Sequence, residues 1–354
     1  SSNSKTSYNG NYGLNASWTL YNGNKRLKTI QQEKLNNQMA ELDVATSENN
    51  IQESIAQVYI QILYAAESVK VNENTLQVSI AQRDRGQELL NAGSIAKSDL
   101  AQLEAQVSTD RYQLVTAQAT LEDYKLQLKQ LLELDGENEM NIYLPALSDE
   151  NVLAPLPTKR DVYISALSLR PEIEASKLNV EASELGINIA KSSYFPTISL
   201  SAGIGTNHTS GSDFTFGEQV KNGWNNSIGL SVSVPIFNNR QTKSAVQKAK
   251  LQYETSMLSL LDEQKALYKT IESLWLDANS AQQRYAAANE KLKSTQISYE
   301  LISEQFNLGM KNTIELLTEK NNLLQAQQEQ LQAKYMAILN TQLLKFYQGD
   351  QLAL

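Results

Sequence analysis

The one imidazole of the chain, His208, is the natural first place to look for chemistry, and its setting offers none. It lies in Thr206-Asn207-His208-Thr209-Ser210-Gly211, a small polar stretch that reads as a loop carrying an ordinary exposed side chain. The chain has no Cys, which excludes a disulfide framework, a thiolate metal site and a cysteine nucleophile. Gly93-Ser94-Ile95-Ala96-Lys97-Ser98 has the outline of the end of a phosphate-binding loop. It lacks the second Gly, however, follows a helical pattern instead of a strand, and its later copy keeps no Lys-Ser. Acidic pairs such as Glu122-Asp123 and Asp262-Glu263 fall on amphipathic stretches and read as solvated helix faces. No Ser-His-Asp set and no metal constellation can be assembled, so the expectation is no enzyme, no cofactor and no metal.

The elements around these residues must therefore be the product. Across 354 residues Lys and Arg number 31 against 39 Asp and Glu, a formal charge of −8 with no long basic block, which argues against nucleic acid as a partner. No segment approaches the roughly 18 uninterrupted apolar residues of a membrane-spanning helix. A β-barrel strand would not register in that test, being too short and too alternating.

An internal repeat organises the chain. Leu14-Asn15-Ala16-Ser17-Trp18-Thr19-Leu20-Tyr21-Asn22-Gly23 has its counterpart 216 positions later in Leu230-Ser231-Val232-Ser233-Val234-Pro235-Ile236-Phe237-Asn238-Asn239. At the same shift Leu90-Asn91-Ala92-Gly93 matches Phe306-Asn307-Leu308-Gly309, and Asp99-Leu100 matches Glu315-Leu316. Such gapless register is expected when a rigid rod fixes the distance between landmarks. Ile51, Ile55, Val58, Ile62, Ala65, Val69 and Leu76 follow alternating four and three spacings, as do Leu267, Ile271, Leu274, Ala278, Ala281, Tyr285 and Leu292. Pro is absent from Asn24 to Leu144 and from Ile236 onward. Helices over about 24–90 and 240–306 would each be roughly 100 Å long at 1.5 Å per residue.

Each rod is followed by a Gly-containing turn and a return helix. The first, about 96–134, carries Leu100, Leu103, Val107, Leu114, Ala117, Leu121, Tyr124, Leu128 and Leu131, with Asp110 as the one polar interruption of its seam. The second, about 313–346, is less pure, its Leu316, Leu317, Leu323, Leu324, Leu331, Ile338, Leu343 and Leu344 interspersed with Gln and Asn. Between the repeats, 135–170 is Pro-bearing, acidic and without heptads, with a short helix expected at Lys159 to Leu169. Pro171 then opens another helix, in the first turn where Pro is tolerated.

Three segments alternate at every step: Tyr12 to Trp18, Thr197 to Gly205 and Ser227 to Val234. One face of each is aliphatic or aromatic, the other only Ser, Thr, Gly or Asn. A soluble sandwich also alternates. The uncharged inner face favours a transmembrane barrel, as do aromatics at the strand ends, namely Trp18, Tyr21, Tyr194, Phe195 and Phe237, with Phe214, Phe216 and Trp224 in the connecting loop. Three strands cannot close a barrel, so closure requires several copies of the chain.

With its duplication, the turns Asn91-Ala92-Gly93 and Asn307-Leu308-Gly309, the Val234-Pro235-Ile236-Phe237 strand end and the Leu169-Arg170-Pro171-Glu172-Ile173 helix start, the chain resembles the TolC-like outer-membrane efflux protein family over essentially its whole length. The resemblance implies a mainly α fold with a small β part. Long antiparallel helices form an α-helical tunnel that continues into a twelve-stranded outer-membrane barrel shared by a homotrimer. It divides the chain into a remnant of the first extracellular loop and a barrel strand (1–23), a first tunnel hairpin (24–134), an equatorial insert (135–170) and a tunnel helix (171–195). A barrel hairpin follows (196–239, extracellular loop 207–225), then a second tunnel hairpin (240–347) and a tail (348–354). By the 216-residue register, some 60 or more residues of the first repeat, and a signal peptide, are expected ahead of the first residue.

The resemblance also implies a function: a passive exit duct from a periplasmic adaptor (membrane fusion) protein and, through it, an inner-membrane pump, carrying small molecules or secreted polypeptide. Outer-membrane lipid would surround the aromatics Trp18, Tyr21, Tyr194, Phe195 and Phe237. The turn residues Asn91, Gly93, Ser94, Ile95, Asn307, Gly309, Met310 and Lys311 would dock the adaptor. Asp99 and Glu315 would ring the periplasmic entrance, the next acidic position of the family being Thr318 here; the same two acids also suit the positive start of a helix. The alternative is a non-transporting structural coiled-coil protein of the cell envelope.

Overall fold

The computed structural model describes residues 7–134, 142–143, 145 and 152–352. Much of the first part of the 135–170 insert, and the first residues of the 1–23 segment, lie outside the described residues. The elements in order are β1 (Asn9–Asn22), α1 (Lys25–Asn91), α2 (Lys97–Leu131), α3 (Lys159–Leu169), α4 (Pro171–Lys191), a 3-10 turn (Ser192–Tyr194) and β2 (Thr197–Thr209). Then come α5 (Phe216–Asn222), β3 (Asn225–Ser233), α6 (Gln241–Asn307) and α7 (Thr313–Gln348). The chain is thus mainly helical with one small sheet. Among the described residues no helix is long and apolar enough to cross a membrane.

The repeat is visible residue by residue. Helices α1 and α6 are 67 residues each, and both their starts and their ends are 216 positions apart. Each is entered through two consecutive residues at positive φ, Gly23 (67°) and Asn24 (64°) in the first copy, Asn239 (50°) and Arg240 (61°) in the second. In the first copy Gly is required for space as well, because a Cβ on Gly23 would sit 2.6 Å from the Ser192 carbonyl oxygen.

The chain divides into two compact units. One comprises Ser1–Asp43 and Glu172–Glu263. Its sheet is antiparallel in the order β1-β2-β3, leaving β1 and β3 as open edges. The register pairs Leu14 with Ile204, Trp18 with Leu200, and Leu200 in turn with Leu230, so one face is aliphatic and aromatic over the middle of the sheet. Ser17, Ser201 and Gly229 share the other face, with Asn15, Gly203 and Ser227 beside them. Strand β2 runs to Thr209, so His208 belongs to a strand and not to the loop expected from its polar neighbours. The reason is pairing: Thr206 to Thr209 continue the ladder opposite Tyr12 to Asn9. Helix α4 is tied to the rods by polar side chains, Gln32 Nε2 donating to the Ala182 carbonyl at 2.8 Å and Ser183 bonding Ser256 at 2.7 Å.

The other unit comprises Val44–Pro171 and Gln264–Leu354. Its core is built from Ile60, Leu63, Ala281, Tyr285, Ala337, Ile338 and Leu343, with Val152 seated against them. Of the expected seam, Ile62, Ala65, Leu76, Leu267, Ile271, Ala278 and Tyr285 are buried, whereas Ile51 is exposed. Farther along α1 the buried face turns polar through Asn72, Thr75, Ser79 and Gln82. Helix α3 is fastened to α6 by Lys159, whose Nζ lies 2.7 Å from Glu272 Oε2 and over the Trp275 ring, while Trp275 Nε1 donates to the Pro157 carbonyl at 3.0 Å.

Candidate functional site

The two interhelical turns of the second unit are built identically. At the first, Gly93 (φ 72°) lies just past the end of α1, its N–H donating to the Leu90 carbonyl at 2.9 Å and the Ser94 N–H to the Leu89 carbonyl at 2.8 Å. At the second, Gly309 (φ 74°) repeats both bonds, Gly309 N–H to Phe306 at 2.9 Å and Met310 N–H to Gln305 at 2.8 Å. This paired closure is the Schellman arrangement that a left-handed Gly allows. A Cβ on either Gly would meet nothing within 4 Å, so both turns stand open around the backbone. Asn91, Ser94, Asn307 and Met310 are exposed, and Ile95 and Lys311 are half-buried.

A four-residue cluster supports these turns from below: Leu89, Leu103, Phe306 and Leu316, one from each of α1, α2, α6 and α7. Arg85 reaches across to donate from Nη2 to the Asn307 carbonyl at 3.3 Å, placing a cation on the exposed end of α6. Nothing in the sequence pattern marked Arg85.

Both candidate gate acids occupy the third position of a return helix. Asp99 Oδ2 accepts the Ala96 N–H at 3.0 Å. Glu315 Oε2 accepts the Asn312 N–H at 3.2 Å, and Asn312 Oδ1 in return accepts the Glu315 N–H at 2.9 Å, a complete capping box. The first copy has Ala96 at the cap position and so makes only half of it. Lys311 Nζ lies 2.6 Å from Glu315 Oε1, which joins a candidate docking residue to a candidate gate residue. The Lys311 ammonium, followed by the Asn312 N–H, holds the Glu315 carboxyl below its ordinary value. Asn312 was not among the expected site residues, although Asn312-x-x-Glu315 carries the signature of the box. Thr318 spends its hydroxyl on the Ile314 carbonyl at 2.8 Å.

The aromatic candidates separate by position. Trp18 is paired opposite Leu200 on the apolar face, and Tyr21, beyond a register shift in β1, returns to pair with Ile198. Tyr194 ends the 3-10 turn after α4, Phe195 stands between that turn and β2, Phe237 stands between β3 and α6, and all five are exposed. Helix α5 in the β2–β3 connection escaped the sequence reading, though Thr215-x-x-Glu218 is again a capping box, Glu218 N–H donating to Thr215 Oγ1 at 3.4 Å and Thr215 N–H to Glu218 Oε2 at 2.9 Å.

A family model described as outer membrane efflux protein matches residues 1–133 and 162–349. The outer membrane efflux protein BepC of Brucella suis biovar 1 is 24% identical over 294 residues, which cover 82% of this chain and 61% of that protein. The outer membrane protein TolC of Escherichia coli strain K12 is 24% identical over 294 residues, 80% of this chain and 58% of that one. The chain thus spans less than two thirds of the length of either relative. Crystal structures of CusC superpose with a TM-score of 0.82 at 18% identity, covering 98% of this chain and 83% of that one, a likeness of fold.

Proposed function

The chain belongs to the outer membrane efflux protein family, and on that premise we propose that it is an outer-membrane exit duct, passively conducting small drug-like or toxic molecules, or secreted polypeptide, to the exterior. The observation that carries this reading is the three-stranded sheet, with one face aliphatic and aromatic over its middle, the other of small polar residues and Gly, and both edges open. An uncharged polar face suits a water-filled lumen and an apolar face suits lipid. Open edges call for further strands, supplied by two more copies in a homotrimer that closes one shared barrel.

In this reading the helical hairpins form a periplasmic tunnel, and their open turns at Gly93 and Gly309 dock an adaptor that links the duct to an inner-membrane pump. Asp99 and Glu315, repeated threefold near an axis, make a negative constriction that favours cations. Energy comes from the pump, since the duct has no chemistry to perform.

Planar-bilayer recording tests the duct. Purified protein should give stable cation-selective conductance, and Asp99→Ala combined with Glu315→Ala should raise the conductance or lower its selectivity. Insertion without ion flow would overturn the duct reading, and an unchanged double variant would leave the two acids as helix caps alone.

A further inference from the structure

We infer that the β2–β3 connection is an outer-leaflet anchor: it seats Phe214, Phe216 and Trp224 in the lipid around the sheet and does not fold over the mouth of the duct. This deepens the barrel reading and rests on it.

The argument begins with the side of the sheet on which α5 lies. Tyr12 pairs with Thr206 and Gly10 with His208, two and four residues beyond the Leu14–Ile204 pair, so Tyr12 and His208 point to the aliphatic face. The Phe216 ring meets both of them, Tyr12 edge-on at 6.3 Å and His208 at 5.0 Å between centroids. Helix α5 is therefore applied to the face assigned to lipid, opposite the Ser and Gly face assigned to water.

It is also held there. Thr206 Oγ1 donates to the Val220 carbonyl at 2.8 Å, and the Thr209 N–H donates to Gln219 Oε1 at 2.8 Å. Gln219 Nε2 donates to the Phe214 carbonyl at 2.8 Å, closing the turn into α5. Gly223 lets the chain pass close, since a Cβ there would fall 2.5 Å from Asn207 Oδ1.

Yet the aromatic rings of this fixed segment are more than half uncovered, Phe214 at 59%, Phe216 at 55% and Trp224 at 54% exposure. Exposed aromatics at the end of a barrel strand are what a headgroup–acyl boundary rewards. The level is right. From Tyr12 to Tyr21 the strand climbs nine residues, about 30 Å at ~3.4 Å each, or ~23 Å along the normal at a barrel's tilt of about 40°, close to the ~25 Å apolar band of outer-membrane barrels. Tyr21 and Trp18 mark one boundary, and Tyr12 with Phe216 against it marks the other. Asp213, Glu218 and Lys221 give the connection mixed charge, so apolar seating and not charge attraction supplies the affinity.

Because the chain has no Cys, single-cysteine spin labels are unambiguous. Phe214→Cys, Leu14→Cys and Ser17→Cys would be labelled in the full chain reconstituted into phosphatidylethanolamine–phosphatidylglycerol vesicles. Relaxation by lipid-soluble oxygen would be compared with relaxation by a water-soluble nickel chelate. All three positions are exposed, so labelling leaves the ring contacts of Phe216 intact. The expected result is oxygen over nickel at Leu14→Cys and Phe214→Cys, and nickel over oxygen at Ser17→Cys. Nickel dominance at Phe214→Cys, with the other two as expected, overturns the anchor and leaves the barrel standing. Shielding of Phe214→Cys from both reagents also overturns it, by placing the segment against a second copy of the chain. Equal behaviour of Leu14→Cys and Ser17→Cys overturns the barrel and the anchor with it.

Discussion

Lys320 of α7 and Asp110 of α2 form an ion pair withdrawn from water, with 3% and 1% of their side chains exposed. Ser79 of α1 bonds both partners, and Gln106 Nε2 donates to the second Asp110 oxygen at 2.9 Å. Burial pushes the Lys320 ammonium below its ordinary value, and the Asp110 carboxylate pulls it back. One charge from each repeat thus fixes the axial position of α7 against α1 and α2, the service that a lone buried polar group gives a coiled coil. The other copy lacks it: the positions 216 away are Glu104, Ala326 and Thr295.

Breaking this pair from one side should be costly and replacing it whole should not. Lys320→Ala strands a buried carboxylate and is expected to cost about 3–5 kcal/mol, whereas Lys320→Met with Asp110→Leu should come near the parent or above it. Thermal melts followed by circular dichroism report both. A Lys320→Ala midpoint equal to the parent's would mean that the pair is hydrated and fixes nothing.

The short Arg170-Pro171 motif, which in the sequence served only as a family mark, has a mechanical task. The Arg170 guanidinium bonds Glu53 Oε1 at 3.2 Å and lies 4.2 Å from the centre of the Tyr347 ring, clamping the end of α7 to α1. Arg170→Lys keeps the charge but loses the planar stack, for an expected cost of about 1–2 kcal/mol. Amide exchange over 343–348 should accelerate while the hairpin turns stay protected. Unaltered exchange in that stretch would remove the clamp.

Glycines at helix ends divide by what surrounds them. Gly349 (φ 107°) closes α7, and a Cβ there would fall 2.6 Å from Leu169 Cδ1, whereas the one on Gly309 would enter open space. Gly309→Ala should therefore cost only the left-handed penalty of about 1–2 kcal/mol, and Gly349→Ala more, because Leu169 must also move. The same openness lets Gly309→Trp fold while blocking the proposed docking face. Native gels should show the proposed trimer intact and an export assay should show loss. Normal export by that variant would refute docking at this turn.

What the sequence made legible, and what it did not, follows from how local each signal was. The 216-residue register, the rod bounds and the two faces of the sheet were readable because repetition and alternation are carried by many residues at once. Asp110 was readable as an interruption in an otherwise apolar seam. Its partner was not, because α7 mixes amides among its leucines and Lys320, between Leu316 and Leu323, looked like one more polar residue. His208 was misplaced in a loop since Thr and Asn neighbours hide a strand whose pairing is decided by residues nearly 200 positions away. Helix α5 was missed for its brevity, although its capping box was in plain sight.

Glu315 supplies one of the two carboxylates of the proposed gate, and its surroundings give that carboxylate a direction with pH. Its carboxyl is held below the ordinary 4.5 by the Lys311 ammonium and the Asn312 N–H, so its folded-state value lies under its unfolded one. Stability from such a group is fully present above the ordinary value and is lost as pH falls through the depressed one. The start of α7 and the charge that Glu315 brings to the proposed constriction should thus be unchanged from neutrality down to about pH 5 and weaken together in stronger acid. In bilayer recordings cation selectivity should persist to about that pH and then fall. Asp99→Asn with Glu315→Gln, which keeps an acceptor for each cap, should show low selectivity at every pH with the helices intact. Selectivity that decays between neutrality and about pH 5 would place the controlling group elsewhere.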